Sequence, residues 1–127
     1  MNIYVSKPFT RLATRQGLTD DRICRSVDEM NEGLTGPNLG SGLFKKRIAM
    51  PGQGKRGGWR VLLGFQKGKK AFFLYLFAKS SRENITDHEI RALKHLTKYY
   101  LEMNPDEIRA ALDCGELREV TCDEQAN

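Results

Sequence analysis

No apolar run in this 127-residue chain approaches the roughly 18 residues that a membrane-spanning helix needs. Its first eight residues, Met-Asn-Ile-Tyr-Val-Ser-Lys-Pro, also lack the charged-then-apolar order of a secretory signal, so a cytoplasmic protein without a membrane partner is expected. Cysteine is scarce: Cys24, Cys114 and Cys122 are odd in number and form no Cys-x-x-Cys pair. That spacing suggests neither a disulfide framework nor a zinc site, and the expectation is reduced thiols acting as small apolar residues. His88 and His95 are the two histidines. Seven residues apart, they would stand about 10.5 Å from each other along one helix at about 1.5 Å per residue, too far to chelate one metal together. No metal and no cofactor is expected.

The most consequential absence is of negative charge. Residues 43–82 contain eleven Lys and Arg and no Asp or Glu, although the chain carries 21 basic and 16 acidic side chains. The remainder therefore holds ten basic and sixteen acidic residues, so an overall charge of +5 conceals a basic middle between acidic flanks. Trp59, Phe65, Phe72, Phe73, Tyr75 and Phe77 interleave with those cations, which marks folded sheet rather than a solvated tail. Like charges packed this closely repel over a Debye length of about 8 Å. A polyanionic partner, nucleic acid foremost, resolves that repulsion. An acidic protein and simple solubility are the other readings, and the latter suits Lys67, Lys69 and Lys70 as guards of a sheet edge.

A chain of this length fits a single domain, residues 1–127, with one core. Residues 1–5 alternate as a short strand. Residues 8–16 read as a helix capped by Ser6 and stopped by Gly17. Thr19 caps the next helix, with Leu18 and Ile23 as a hydrophobic staple and Ile23, Val27, Met30 and Leu34 at helical spacing; Gly33 ends it. Residues 34–42 read as a connection with little intrinsic order. The basic block divides into three strands. Residues 43–50 place Phe44, Lys46, Ile48 and Met50 on one face and Lys45, Arg47 and Ala49 on the other. Trp59, Val61, Leu63 and Phe65 face away from Arg60, and the apolar run 71–78 suits a central strand covered on both sides. Trp59 and Phe65 are accordingly core residues rather than base-stacking platforms. Residues 66–70 form a tight basic turn and residues 51–58 a longer glycine-rich one. The latter departs from the Gly-x-x-x-x-Gly-Lys-Ser/Thr phosphate loop because Gly58 and Trp59 follow Gly57. Thr86 and Glu89 make a capping box, stapled by Ile85 and Ile90, for a helix running to about residue 103. Asn104 and Pro105 open another that Gly115 closes. Residues 116–127 read as a short edge strand and a flexible acidic tail.

Two features carry chemistry. Arg60 lies within a strand, where a cation is unfavourable unless its face opens to water or phosphate, and a guanidinium there suits bidentate phosphate recognition. An exposed strand face or an internal salt bridge is the alternative. Lys79 and Arg82 stand at the exit of the central strand, where they either reach a cleft or merely solvate the next helix. His88, in the first turn of its helix, is a candidate proton carrier.

The segment Leu43-Phe-Lys-Lys-Arg-Ile-Ala-Met-Pro-Gly-Gln-Gly-Lys-Arg-Gly-Gly-Trp-Arg60, followed by Phe72-Phe-Leu-Tyr-Leu-Phe-Ala-Lys-Ser-Ser-Arg-Glu-Asn-Ile85, resembles the RelE/HigB branch of bacterial type II toxins. The likeness extends to residues 9–17, the helix after Thr19 and the acidic end after Gly115. It implies an α+β fold: a twisted, antiparallel-dominated sheet packed against N-terminal helices, with further helices C-terminal. It also implies a metal-independent mRNA endonuclease acting at the ribosome, and a cognate antitoxin, expected to be a helix-turn-helix protein. In such toxins the substrate's own 2′-hydroxyl attacks phosphorus. That route needs a base near the 2′-oxygen, cations around phosphorus and an acid or its electrostatic substitute at the departing 5′-oxygen.

On those demands Arg60 is assigned to the scissile phosphate, with Lys79 and Arg82 clamping or neutralising the same region and Lys46 or Lys55 as candidates for proton transfer. Lys45, Arg47, Arg56, Lys67, Lys69 and Lys70 would track flanking phosphates or ribosomal RNA. Some RelE-like toxins place an aromatic hydroxyl just after the basic motif that follows the strand. Residues 83–88 hold no tyrosine here, and His88 is the candidate substitute. ParE-like toxins share the fold and inhibit DNA gyrase without cutting RNA, and a non-catalytic nucleic-acid module is a third reading.

Overall fold

The computed structural model describes residues 1–52 and 57–123. Its elements run β1 (Asn2–Ser6), α1 (Lys7–Gln16), α2 (Asp20–Asn31), β2 (Asn38–Gly40), β3 (Leu43–Ile48), β4 (Trp59–Gln66), β5 (Lys70–Ala78), α3 (Asp87–Leu101), α4 (Pro105–Asp113) and β6 (Leu117–Val120). Each helix starts where a side chain satisfies an orphan backbone donor. Ser6 Oγ accepts from the Phe9 amide at 3.2 Å and Thr19 Oγ1 from the Arg22 amide at 3.4 Å. Full capping boxes open α3, through Thr86 and Glu89, and α4, through Asn104 and Glu107. Among the described residues, no helix is long and apolar enough to cross a membrane.

The strands form one sheet in the order β2-β3-β4-β5-β1-β6. All neighbours are antiparallel except β1 and β5, so the expected antiparallel-dominated α+β architecture is present with β5 inside the sheet. On one face, Trp59, Val61, Leu63 and Phe65 of β4 pack with Phe9 of α1 and Ile23, Val27 and Met30 of α2. The indole nitrogen of Trp59 donates to Gln16 Oε1 at 3.3 Å, which satisfies its one polar atom in that core. On the opposite face, Phe72 and Leu74 meet Tyr100 of α3 and Ala111 of α4, while Leu43, Leu62 and Phe77 gather around Ile85. N-terminal helices thus cover one side of the sheet and C-terminal helices the other.

Two expectations need correction. The connection over residues 34–42 contains β2, a three-residue strand paired with β3 through a register shift. Cys24 and Cys122 form a disulfide across a separation of 98 residues; Cys114 alone is free, and exposed. Spacing along the chain could not reveal that pair, because the fold, not the sequence, sets α2 beside the segment that follows β6.

A bulge in β5 decides which face the exit of the strand presents. Leu62 pairs with Tyr75 and Leu63 with Phe73, which leaves Leu74 as an extra residue. Before it, odd-numbered side chains (Ala71, Phe73) enter the core beneath α1 and α2; beyond it, even-numbered ones (Leu76, Ala78) do. Phe77 therefore lies on the opposite face, and Lys79, two residues on, follows the same parity.

A cationic cleft beside the end of the central strand

At the end of the sheet where β3 finishes, β4 starts and β5 exits lies a cleft of about 760 Å³, lined by Gly36, Pro37, Lys45, Arg47, Arg60, Lys79, Glu83 and Asn84. Its floor is set by strand register. Arg47 and Arg60 are direct cross-strand partners, and Arg60 pairs on its other side with Phe77. Such neighbours have Cβ atoms about 5 Å apart, so the two guanidinium groups rise side by side. Lys45 stands two positions along β3 from Arg47 on the same face, and the bulge in β5 brings Lys79 to that face as well.

Two glycines let the backbone close around this floor. At Gly58 a Cβ would collide with the carbonyl of Ile48, and at Gly36, whose φ is +75°, with the carbonyl of Lys45. The Gly-Gly-Trp-Arg order thereby acquires a physical reason: the second glycine permits close approach of β4 to β3, Trp59 enters the core, and Arg60 turns to the cleft.

Arg60 is 9% exposed, and among the described residues no carboxylate pairs with it. Its Nη1 donates to the Trp59 carbonyl at 3.4 Å. Burial, and then the neighbouring charge of Arg47, hold its acid dissociation below the ordinary arginine value, although a guanidinium stays charged at neutral pH. Lys45 and Lys79 hold the loop between β5 and α3. Lys79 Nζ donates to the Glu83 carbonyl at 3.0 Å and Lys45 Nζ to Asn84 Oδ1 at 3.1 Å, while that same oxygen accepts from the Ile85 amide at 2.9 Å.

Arg82 sits at the edge of this arrangement and does not line the cleft. It forms a bidentate pair with Glu89 at 2.6 and 3.0 Å, and it also donates to the Tyr75 hydroxyl at 3.3 Å and the Asn84 carbonyl at 2.9 Å. Its guanidinium carbon lies 5.4 Å from the centre of the Phe77 ring. Tyr75 supplies from the strand the aromatic hydroxyl that residues 83–88 lack, but beside Arg82 rather than in the cleft. Hydrogen bonds from Arg82, then from the Thr86 backbone amide, hold the Glu89 carboxyl down at about 2, against an ordinary 4.5. Because the folded value is the lower, this contribution to stability is complete above pH 4.5 and is lost as pH falls towards 2. Glu89→Gln keeps an N3 capping side chain and removes that charge, so unfolding midpoints in urea across this interval should depend less on pH. The change will be small, since both partners are about a third exposed and water screens them.

The remaining sequence candidates scatter. Lys46 lies on the other face of β3, 8% exposed, with Nζ 2.7 Å from Glu29 of α2. His88 is exposed on α3 and is not part of the cleft lining. Lys67 and Lys69 occupy the β4–β5 turn beyond Gln66, about 20 Å from Arg60 at about 3.3 Å per strand residue. Lys70 donates to the Met103 carbonyl at 3.4 Å. Lys55 and Arg56 lie outside the described residues. Sequence reasoning missed Gly36, Pro37, Glu83 and Asn84; the last two stand within the motif that carries the family resemblance, whereas Gly36 and Pro37 offered no signal.

Comparison with curated proteins gives no match. The family model described as RelE toxin of RelE / RelB toxin-antitoxin system matches residues 1–120, a span that contains every residue of the cleft. The chain belongs to the RelE toxin family and is the toxin half of a toxin–antitoxin pair, with a cognate antitoxin as its partner.

Proposed function

We propose that this toxin is a ribosome-dependent mRNA endonuclease that cleaves by attack of the substrate's 2′-hydroxyl on the adjacent phosphorus. The observation that carries the reading is Arg60: a buried guanidinium, abreast of Arg47 and without a carboxylate partner among the described residues, facing a cleft lined by Lys45 and Lys79. A cation placed there at the expense of its own solvation is suited to an anion that arrives later. As the 2′-oxygen adds to phosphorus, charge gathers on the non-bridging oxygens, and a fixed, poorly hydrated guanidinium stabilises that charge without having to reorganise. Arg60 takes the scissile phosphate, and Lys45 and Arg47 take the strand that leads to it. The products are a 2′,3′-cyclic phosphate and a 5′-hydroxyl. The cognate antitoxin, a helix-turn-helix protein in this reading, keeps the toxin inactive.

Primer extension on translated mRNA, with and without ribosomes, tests the proposal. Codon-phased breaks that need ribosomes are expected. No breaks, together with altered DNA supercoiling, would establish the gyrase inhibitor instead. Lys46 gives a control on site placement: its ammonium pairs with Glu29 away from the cleft, so Lys46→Met should cleave as the parent does. Its unfolding free energy should stay within about 1 kcal/mol, because the Glu29 carboxylate left without its partner is 43% exposed and stays solvated.

A further inference from the structure

The proposed reaction needs a group to take the 2′-hydroxyl proton, and none of the candidates picked from the sequence serves among the described residues. Lys46 is paired on the opposite face, and His88 lies outside the cleft. Lys45 and Lys79 line it, but as ammonium donors already engaged with Asn84 Oδ1 and the Glu83 carbonyl. An ammonium group has no lone pair with which to accept a proton. Among the described residues, Glu83 is the one acidic member of the lining.

Its position is held on both sides. Its own carbonyl accepts from Lys79, Arg82 before it is gripped by Glu89, and Asn84 after it receives Lys45 Nζ and the Ile85 amide. The loop is therefore anchored around Glu83, whereas the Glu83 side chain has no hydrogen bond or ion pair of its own among the described residues. A carboxylate beside RNA is unfavourable unless cations offset it. Four cations, Lys45, Arg47, Arg60 and Lys79, line the same cleft.

We propose that Glu83 is the general base of the cleavage, with Lys79 as the acid at the leaving group. This rests on the endonuclease reading above. The Glu83 carboxylate takes the 2′-hydroxyl proton while the 2′-oxygen bonds to phosphorus. The bond from phosphorus to the 5′-oxygen breaks, and that oxygen leaves with a proton from the Lys79 ammonium. The protonated Glu83 and neutral Lys79 that remain exchange one proton through solvent, which restores the starting state. No water is consumed and no oxidant or metal enters the balance.

Single-turnover cleavage of mRNA on programmed ribosomes tests this. Glu83→Gln should slow cleavage by about 10²-fold or more, the usual contribution of a positioned base, with binding to the ribosome unchanged or tighter because a negative charge is gone. Asp113→Asn, which removes an exposed carboxylate on α4, should cleave normally. An mRNA with sulfur in place of the scissile 5′-oxygen needs no acid at its leaving group. It should restore Lys79→Ala and leave Glu83→Gln slow. A Glu83→Gln protein that melts like the parent and cuts at the parent rate overturns the assignment, as does one that loses binding rather than rate. Failure of Lys79→Ala to recover on the sulfur substrate overturns the acid. If the parent itself makes no cut, the endonuclease reading falls, a result distinct from these.

Discussion

Arg60→Ala should reduce cleavage by about 10³-fold or more, the effect associated with removing an arginine from a phosphoryl transition state, while the protein remains folded. The second half of that expectation follows from the same geometry as the first. Arg60 is 9% exposed, its hydrogen bond to the Trp59 carbonyl is 3.4 Å long, and its cross-strand neighbour is another cation. Among the described residues no carboxylate offsets that charge in the absence of substrate. Arg60→Met, which keeps most of the aliphatic stem and deletes the guanidinium, should therefore raise the unfolding free energy by about 1–2 kcal/mol, the scale on which a poorly compensated buried polar group is penalised. Arg60→Lys restores charge but not the planar fork, and should recover only part of the rate. Codon-phased cleavage and urea unfolding measured on the three variants form one test. An Arg60→Ala protein that cuts normally, or an Arg60→Met protein less stable than the parent, contradicts the account of this residue as a cation held in readiness for phosphate.

How much of the fold and the cleft is legible in the sequence depends on where the signals lie in the chain. Helix starts are readable because capping is local: Thr86 and Glu89 sit three residues apart and satisfy each other's backbone. Alternation places Arg60 opposite Trp59, and Lys46 opposite Lys45 and Arg47, correctly. That pattern already argues against Lys46 as a proton carrier in the same cleft as Arg60, since adjacent strand residues face opposite sides. β2 escapes notice because a three-residue strand with irregular register has no period to detect. The bulge at Leu74 is hidden for a different reason. A strand buried on both faces is apolar throughout, so nothing in residues 71–78 records where the parity changes, and with it the face that Lys79 reaches. Glu89 is visible as a cap and invisible as the partner of Arg82, because that contact depends on how the loop folds back over Phe77. The described cations of the block thus divide in three dimensions into a cleft group, a group tied into the frame and a distant turn, a division that charge counting cannot make.

Reduction of the Cys24–Cys122 disulfide should cost the fold about 3 kcal/mol. The bond closes a separation of 98 residues, so it removes from the unfolded ensemble nearly all the freedom of one end relative to the other. Chain-entropy arithmetic gives a ceiling near 4.7 kcal/mol for a loop of about 100 residues, and residual structure in the unfolded chain lowers it. The other attachments of α2 remain after reduction: Ile23, Val27 and Met30 stay in the core, Glu29 keeps Lys46, and Arg22 still donates to the Ala49 carbonyl at 2.9 Å. The native state should thus persist with a lower urea midpoint rather than collapse, and the row of Arg47 and Arg60, on the opposite face of the sheet, should cleave as before. Alkylation without reductant should label Cys114 alone, and all three cysteines after reduction and unfolding. A Cys24→Ser/Cys122→Ser protein should match the reduced parent and ignore reductant, whereas Cys114→Ser should retain the full response. Urea midpoints that do not move on reduction would mean that α2 and the segment beyond β6 are held together by packing alone.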